Sequence, residues 1–259
     1  MDLAALMQLP PGGLEVALLV LVRISALFVI APVFGNQVLP MRFRVGLAVL
    51  VTLLILPIAL SGPRPALDGA NALALAVGRE LAVGLLIGFV AMTFFYAVQF
   101  AGHLLGLQMG FGMSMMFDPT TRSQTSEIAV LLLQLATVCF LALNAHHWLL
   151  AAVWRSFETV PLATFTPNGV LLDRVIAEVS GIFDTALTIM LPITGIILVI
   201  ELALAILNRV IPQMNVFSIS MGVKVLLGLG TLAATLPLIG GTFDLLVDRL
   251  NHRLLELFR

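Results

Sequence analysis

Charge is scarce in this sequence. Only 10% of its 259 residues are Asp, Glu, Lys or Arg, and Lys224 is the sole lysine. Soluble domains carry about 25%. Hydrophobic residues make up 60% of the chain, and its mean hydropathy is +1.12. A chain of this length cannot hide that much apolar surface in one core. Lipid or a protein assembly must cover the excess. The net charge of −1 leaves no basic footprint for nucleic acid. A single cysteine, Cys139, excludes a disulfide framework within the chain and reads as a small apolar helix residue. The N-terminus lacks the positive region of a cleaved signal peptide, because Arg23 is the first basic residue and lies inside an apolar run. The first segment is therefore expected to be retained. No strand-like alternation is sustained, which argues against a β-barrel.

Catalytic groupings are equally thin. There is no nucleophile–base pair, phosphate-cradling glycine loop or spaced pair of acid–base carboxylates, so an enzyme is not expected. His146 and His147 are adjacent and point about 100° apart on a helix. With His103 and His252 far along the chain, they read as interfacial polar residues near Trp148, with no metal and no cofactor.

Long apolar runs fill the space that charge leaves empty. Six stretches, approximately 14–34, 45–60, 70–100, 128–153, 182–207 and 221–247, compare with the roughly 20 residues of a membrane span. The second is short and ends at Pro57, and the third is too long for one simple span. The breaks fall at Gly35–Pro40, Ser61–Pro65, Pro161 and Thr166–Gly169. Asp173 to Gly181 is polar enough for a separate interfacial helix, while Pro192 and Pro237 should kink the helices that contain them. Lys and Arg divide almost evenly between alternate loops, so the charge bias sets no orientation. The expected class is all-α, a polytopic membrane protein of long, kinked helical hairpins.

Three constellations stand out. Gly84 and Gly88, and again Gly102, Gly106 and Gly110, recur every four residues and bare one helix face for close backbone approach. That face could serve packing within the chain or against partner subunits. Between Gln108 and Pro119 lie four of the chain's 11 methionines, two loosening glycines and the stop Asp118-Pro119. Unbranched, polarizable methionines conform to varied surfaces. They could seal a pore and still yield to different chains, or simply pack a re-entrant turn. Finally, Arg23, Arg79, Glu80, Glu201 and Lys224 sit inside apolar runs and should face protein or water. Glu201 and Lys224 lie at similar distances from the turn near Gln213. An antiparallel hairpin would bring them to one depth, where they should pair.

The segment Leu207-Asn208-Arg209-Val210-Ile211-Pro212-Gln213-Met214-Asn215-Val216-Phe217 resembles the signature of the FliR family. Lys224 followed by Gly228 and Gly230, Arg23 with Ala31-Pro32 and Pro40, Arg79-Glu80 with Gly84, and Gly102 through Met109-Gly110-Phe111 to Asp118-Pro119 match it in order along nearly the whole chain. Asn208-Arg209 and Asn215-Val216-Phe217 look flagellar rather than like the related injectisome subunit.

The resemblance implies one subunit of the flagellar type III export gate in the bacterial inner membrane, at the base of the flagellum. FliP and FliQ would be its assembly partners, with FlhB and FlhA as neighbours and lipid around part of the surface. Unfolded rod, hook and filament proteins would pass through. It implies a FliP-like part over about 1–181 and a FliQ-like hairpin over about 182–259, forming one domain, 1–259. It also implies a plug loop at 106–122, whose pore-sealing candidates are Met109, Gly110, Phe111, Met113, Met115, Met116, Phe117, Asp118 and Pro119. Arg23, Arg79, Glu80, Glu201, Asn208, Arg209, Gln213, Asn215 and Lys224 would be polar assembly residues. Gly84, Gly88, Gly102 and Gly106 would serve helix packing. The competing reading is a small secondary transporter using Glu201 and Lys224, although no inverted repeat supports it.

Overall fold

A computed structural model describes residues 12–31, 40–63, 65, 67, 69–111, 126–212 and 216–256. Every regular element among them is helical: α1 (Gly13–Ile30), α2 (Met41–Ser61), α3 (Ala70–Met109), α4 (Glu127–Ala142), α5 (Ala145–Thr159), α6 (Gly169–Val210) and α7 (Val216–Glu256). The boundaries follow local chemistry. Helix α2 begins directly after Pro40 and ends at Ser61-Gly62-Pro63. Helix α6 begins where the Asn168 side chain accepts the Leu171 N–H at 2.8 Å, an N-cap that satisfies one orphan donor of the first turn.

The six apolar stretches reappear with altered limits. The third is one unbroken helix of 40 residues, about 60 Å long at 1.5 Å per residue. The second does not stop at Pro57; α2 carries that proline to Ser61. The fourth is not continuous. Leu143-Asn144 interrupts it, with Asn144 left-handed at φ 55°, a conformation Asn adopts at little cost. Asp173–Gly181 is no separate interfacial helix, because it forms the early turns of the 42-residue α6. Nothing between Val170 and Ser180 can stop a helix, so it propagates across them. Pro192 and Pro237 lie inside α6 and α7.

Among the described residues five helical segments are long and apolar enough to cross a membrane, α1, α2, α3, α6 and residues 219–237 of α7, and the bent pair α4 and α5 would make a sixth if taken as one broken span. The protein is thus all-α and polytopic in character. Own-chain burial differs sharply among these segments. It covers 61% of the apolar window of α3 but 28% of that of α6 and 11% of that of α7. Helix α3 is a spine wrapped by its own chain, whereas the α6–α7 surface requires lipid or protein from outside.

The chain forms two compact units. The first comprises Met1–Met92, Asn144–Glu178 and Arg249–Arg259; the second comprises Thr93–Leu143 and Val179–Asp248. In the first, α1 turns Val16, Leu19, Val20, Ile24 and Leu27 inward on one helical stripe, and α2 packs against α1 and α5. The second is centred on Phe94. Its ring meets Phe95 edge-on at 5.0 Å and Phe243 at 5.8 Å, and Phe140 closes the group 5.2 Å from Phe95. Such edge-to-face pairs each add about 0.5–1.5 kcal/mol beyond burial.

Candidate functional site

Arg23 is the largest fully buried side chain of the first unit, halfway along an apolar helix where an unpaired charge would be prohibitive. Its partners converge from three elements. The Nε donates to Glu80 Oε2 at 2.5 Å, and Nη1 donates to the Ser156 carbonyl at 2.9 Å and the Ser156 hydroxyl at 3.1 Å. The Nη2 donates to the Val160 carbonyl at 3.1 Å. The guanidinium carbon lies 4.1 Å from the centre of the Phe157 ring, a cation–π contact. All three nitrogens are engaged, and two acceptors are carbonyls at the C-terminal end of α5, where the helix dipole favours a cation.

Glu80 completes the centre from the other side. Its Oε1 accepts the Ala163 N–H at 2.8 Å, while Nη1 of the neighbouring Arg79 donates to the Ala163 carbonyl at 2.6 Å. Ala163 has φ 63°, a left-handed conformation that costs an alanine about 1–2 kcal/mol. Consecutive residues of α3 therefore grip both peptide groups of one strained turn. The sequence pointed to Arg23, Arg79 and Glu80 singly. It pointed neither to their convergence nor to Ser156 and Ala163, because separations of 57 and 133 residues leave no local signal.

The glycines serve close packing inside this chain. A Cβ on Gly84 would collide with the Arg23 carbonyl, and one on Gly88 would lie 3.1 Å from Ile30 Cβ, so α1 rests directly on α3. Farther along α3, a Cβ on Gly102 would lie 2.5 Å from the Ala129 Cα, and one on Gly106 would collide with the Ser126 side chain. These four positions face α1 and the start of α4 of the same chain.

The Met-rich stretch is described only at its root. Helix α3 ends at Met109, and Gly110 turns the chain at φ 94°. Met109 is fully buried, and its Cγ lies 2.8 Å from where a Cβ on Gly228 would stand. Bare backbone at Gly228 is what admits the methionine. Beside it the Thr194 hydroxyl donates to Gln108 Oε1 at 3.0 Å, tying α6 to the last turn of α3. Met109 is thus an anchor, while Gly110 and Phe111 are partly exposed. Met113, Met115, Met116, Phe117, Asp118 and Pro119 lie outside the described residues, as do Gln213 and Asn215.

Lys224 Nζ stands 2.7 Å from Glu201 Oε1, the pairing that equal depth in a hairpin requires. Their side chains retain 22% and 45% exposure, so water or a neighbouring surface reaches the pair. Asn208 and Arg209 are exposed at the end of α6. The His146 and His147 rings lie 4.2 Å apart, and among the described residues no three His, Cys, Asp or Glu side chains gather as a metal site. The geometry offers fixed helices, a buried ionic clamp and an anchored loop root.

The sequence is similar to those of known bacterial export proteins. Residues 14–250 match the family described as bacterial export proteins, family 1. The flagellar biosynthetic protein FliR of Pectobacterium carotovorum subsp. carotovorum is 35% identical over 89% of this chain and 91% of its own length. That of Escherichia coli strain K12 is 32% identical over 85% and 83%. The Yop proteins translocation protein T of Yersinia pestis is 34% identical over 80% of each chain.

Proposed function

This chain belongs to the FliR family of bacterial export proteins, and on that basis we propose that it is a channel-building subunit of the flagellar type III export gate in the inner membrane. The observation that carries the reading is likeness to flagellar FliR proteins along almost the whole chain. The extensive uncovered apolar surface of α6 and α7 supports it, because such a surface suits a subunit completed by others. In this reading FliP and FliQ surround the chain, FlhB and FlhA adjoin it, and unfolded rod, hook and filament proteins pass through the assembly. The part up to about residue 181 acts as the FliP-like element and the α6–α7 hairpin as the FliQ-like one.

The Met-rich loop serves as a plug. Its root is held by Met109 against Gly228 and by Gln108 on Thr194. The chain returns at Ser126, against Gly106, so the loop leaves and re-enters at one level of α3. Apolar side chains at 111, 113, 115, 116 and 117 exclude ions and yield to an exported chain without any catalytic group. The transporter alternative loses its main feature, since Glu201 and Lys224 neutralise one another.

The test is removal of residues 112–117, which leaves the Met109 anchor in place. The shortened chain should co-purify with its partners yet render the membrane permeable to small ions. An assembled complex with unchanged ion leak would overturn the plug role.

A further inference from the structure

The α6–α7 hairpin presents a long aliphatic surface. Around the Glu201–Lys224 ion pair the outward residues are Leu198, Val199 and Leu202 on α6 and Leu226 and Leu227 on α7, all exposed. Aliphatic helix surfaces of this kind discriminate poorly among registers, and one helix can ratchet past another by a turn, about 5.4 Å. Yet the end of α3 requires one register of these two helices. Thr194 of α6 donates to Gln108, and Gly228 of α7 leaves the room that Met109 fills. A Cβ on Gly110 would lie 3.8 Å from the Cγ of Met221, also on α7. All of these residues belong to the second unit.

The ion pair stands where it can select that register. Thr194 and Glu201 are two turns apart on α6 and so share one face. Met221, Lys224 and Gly228 follow one another at i, i+3 and i+7 and share one face of α7. Each arm of the hairpin therefore carries, on a single stripe, one member of the pair and the contacts that receive the end of α3. A slide or rotation that parts Lys224 from Glu201 also shifts Gly228 and Met221 relative to Thr194.

Energetics separates this role from simple reinforcement. The two side chains touch at 2.7 Å but keep 22% and 45% exposure, and ion pairs that water reaches add little net stability. What such a pair does well is discriminate. Moving one helix by a turn parts the charges on an aliphatic surface, where neither finds a replacement. A polar contact within an apolar seam is the best-attested device for fixing register. A second ion pair between these helices, Glu178–Arg253, lies in the first unit, beyond Pro192 and Pro237. Helices yield at such prolines, which leaves the spacing beside Met109 to the local pair.

We propose that Glu201 and Lys224 are positioning residues, whose attraction locks α6 and α7 in one register and so holds Gln108, Met109 and Gly110 in place at the end of α3. This goes beyond the plug reading and stands without it, because the pair holds the end of α3 whatever the following loop does. The test is a disulfide between Met109→Cys and Gly228→Cys in the full chain in membranes, with Cys139→Ala as background. The Met109 Cγ lies 2.8 Å from a Cβ on Gly228. The Met109 Cβ is at most one C–C bond, about 1.5 Å, farther, not beyond the roughly 3.5–4.5 Å Cβ separation of a disulfide. A slip of one turn carries the two out of reach.

With the ion pair intact, copper-phenanthroline should form the bond readily. Glu201→Gln and Lys224→Met should each slow it severalfold, and the exchange of Glu201→Lys with Lys224→Glu should restore it. Protease resistance of α3 and α4 should be the same in every chain. Unchanged crosslinking in both single variants would overturn the proposal. So would an exchanged chain as slow as the single variants, because attraction between the two positions would then be irrelevant. Loss of protease resistance in the single variants would make the pair a support of the whole unit, and that too overturns the register lock. None of these results bears on the ion leak of the loop deletion, so the two readings can fail separately.

Discussion

Replacing Arg23 with Leu should be among the most damaging single changes outside the Met-rich loop. The substitution strands the buried Glu80 carboxylate and removes the donors to the Ser156 and Val160 carbonyls. Breaking a buried pair by removing one partner costs about 3–5 kcal/mol. The Ser156 carbonyl keeps the Val160 N–H at 2.9 Å, so only the Val160 carbonyl loses its donor, adding about 1–3 kcal/mol. Whole domains are stable by only about 5–15 kcal/mol, so the substitution should remove a large share of the first unit's stability. Glu80→Gln should be milder, at about 1–3 kcal/mol, because an amide oxygen still accepts the Ala163 N–H and Arg23 keeps its carbonyl partners. The double change to Leu at both positions should cost less than the sum of the two single changes, since no charge is left uncompensated. The assay is thermal unfolding of the detergent-solubilised chain, with limited proteolysis of the 145–168 region as a local readout. An Arg23→Leu chain that melts with the wild type, or a double variant whose loss is strictly additive, would refute the reasoning.

Other expectations follow from single contacts. Gly228→Val should push Met109 from its place and cost about 1–3 kcal/mol by overpacking, read as a lowered melting temperature and a leakier assembled pore. Gly106→Leu should separate α4 from α3 and prevent a stable second unit, read as loss of protease-resistant chain. Thr194→Val removes one hydrogen bond to Gln108 and should cost about 1 kcal/mol; a chemical melt that matches wild type would discount the tie. Gly110→Ala forces a Cβ into φ 94° and should cost about 1–2 kcal/mol, measurable in the same melt.

Much of this fold was legible in the sequence because apolar runs of 18 or more residues have few alternatives to helix. The Glu201–Lys224 pair was legible for a related reason. Both flank a single turn, so rise per residue alone fixes their common depth. The break at Asn144 was not, since Asn lacks the force of Pro or Gly as a signal and only its left-handed φ reveals the stop. Asp173 and Glu178 suggested an interfacial helix, but polarity does not end a helix that meets no breaker. The Arg23 centre was invisible as a unit, because the turn it organises consists of Pro161, Leu162, Ala163 and Thr164, none of which advertises a partner. At the Met-rich stretch, composition indicated a candidate sealing segment; what it could not show is that Met109 is buried against the bare backbone of Gly228.

The Arg23 centre also bears on how the chain is made. Its guanidinium emerges 133 residues before Ser156. At the usual synthesis speed of about 5–20 residues per second, that interval is on the order of ten seconds. Glu80 arrives partway through, and the carbonyls of α5 last. During that time α1 is a strongly apolar segment carrying an arginine without its full set of acceptors, a species that insertion machinery must shelter or let reach toward headgroups. In the completed centre α1, α3 and the end of α5 are tied together through one side chain. A buried clamp of this kind ties the stability of α1 to sequence far downstream: a chain that stops before Ser156 has the Glu80 partner but lacks the Ser156 and Val160 acceptors that complete the centre.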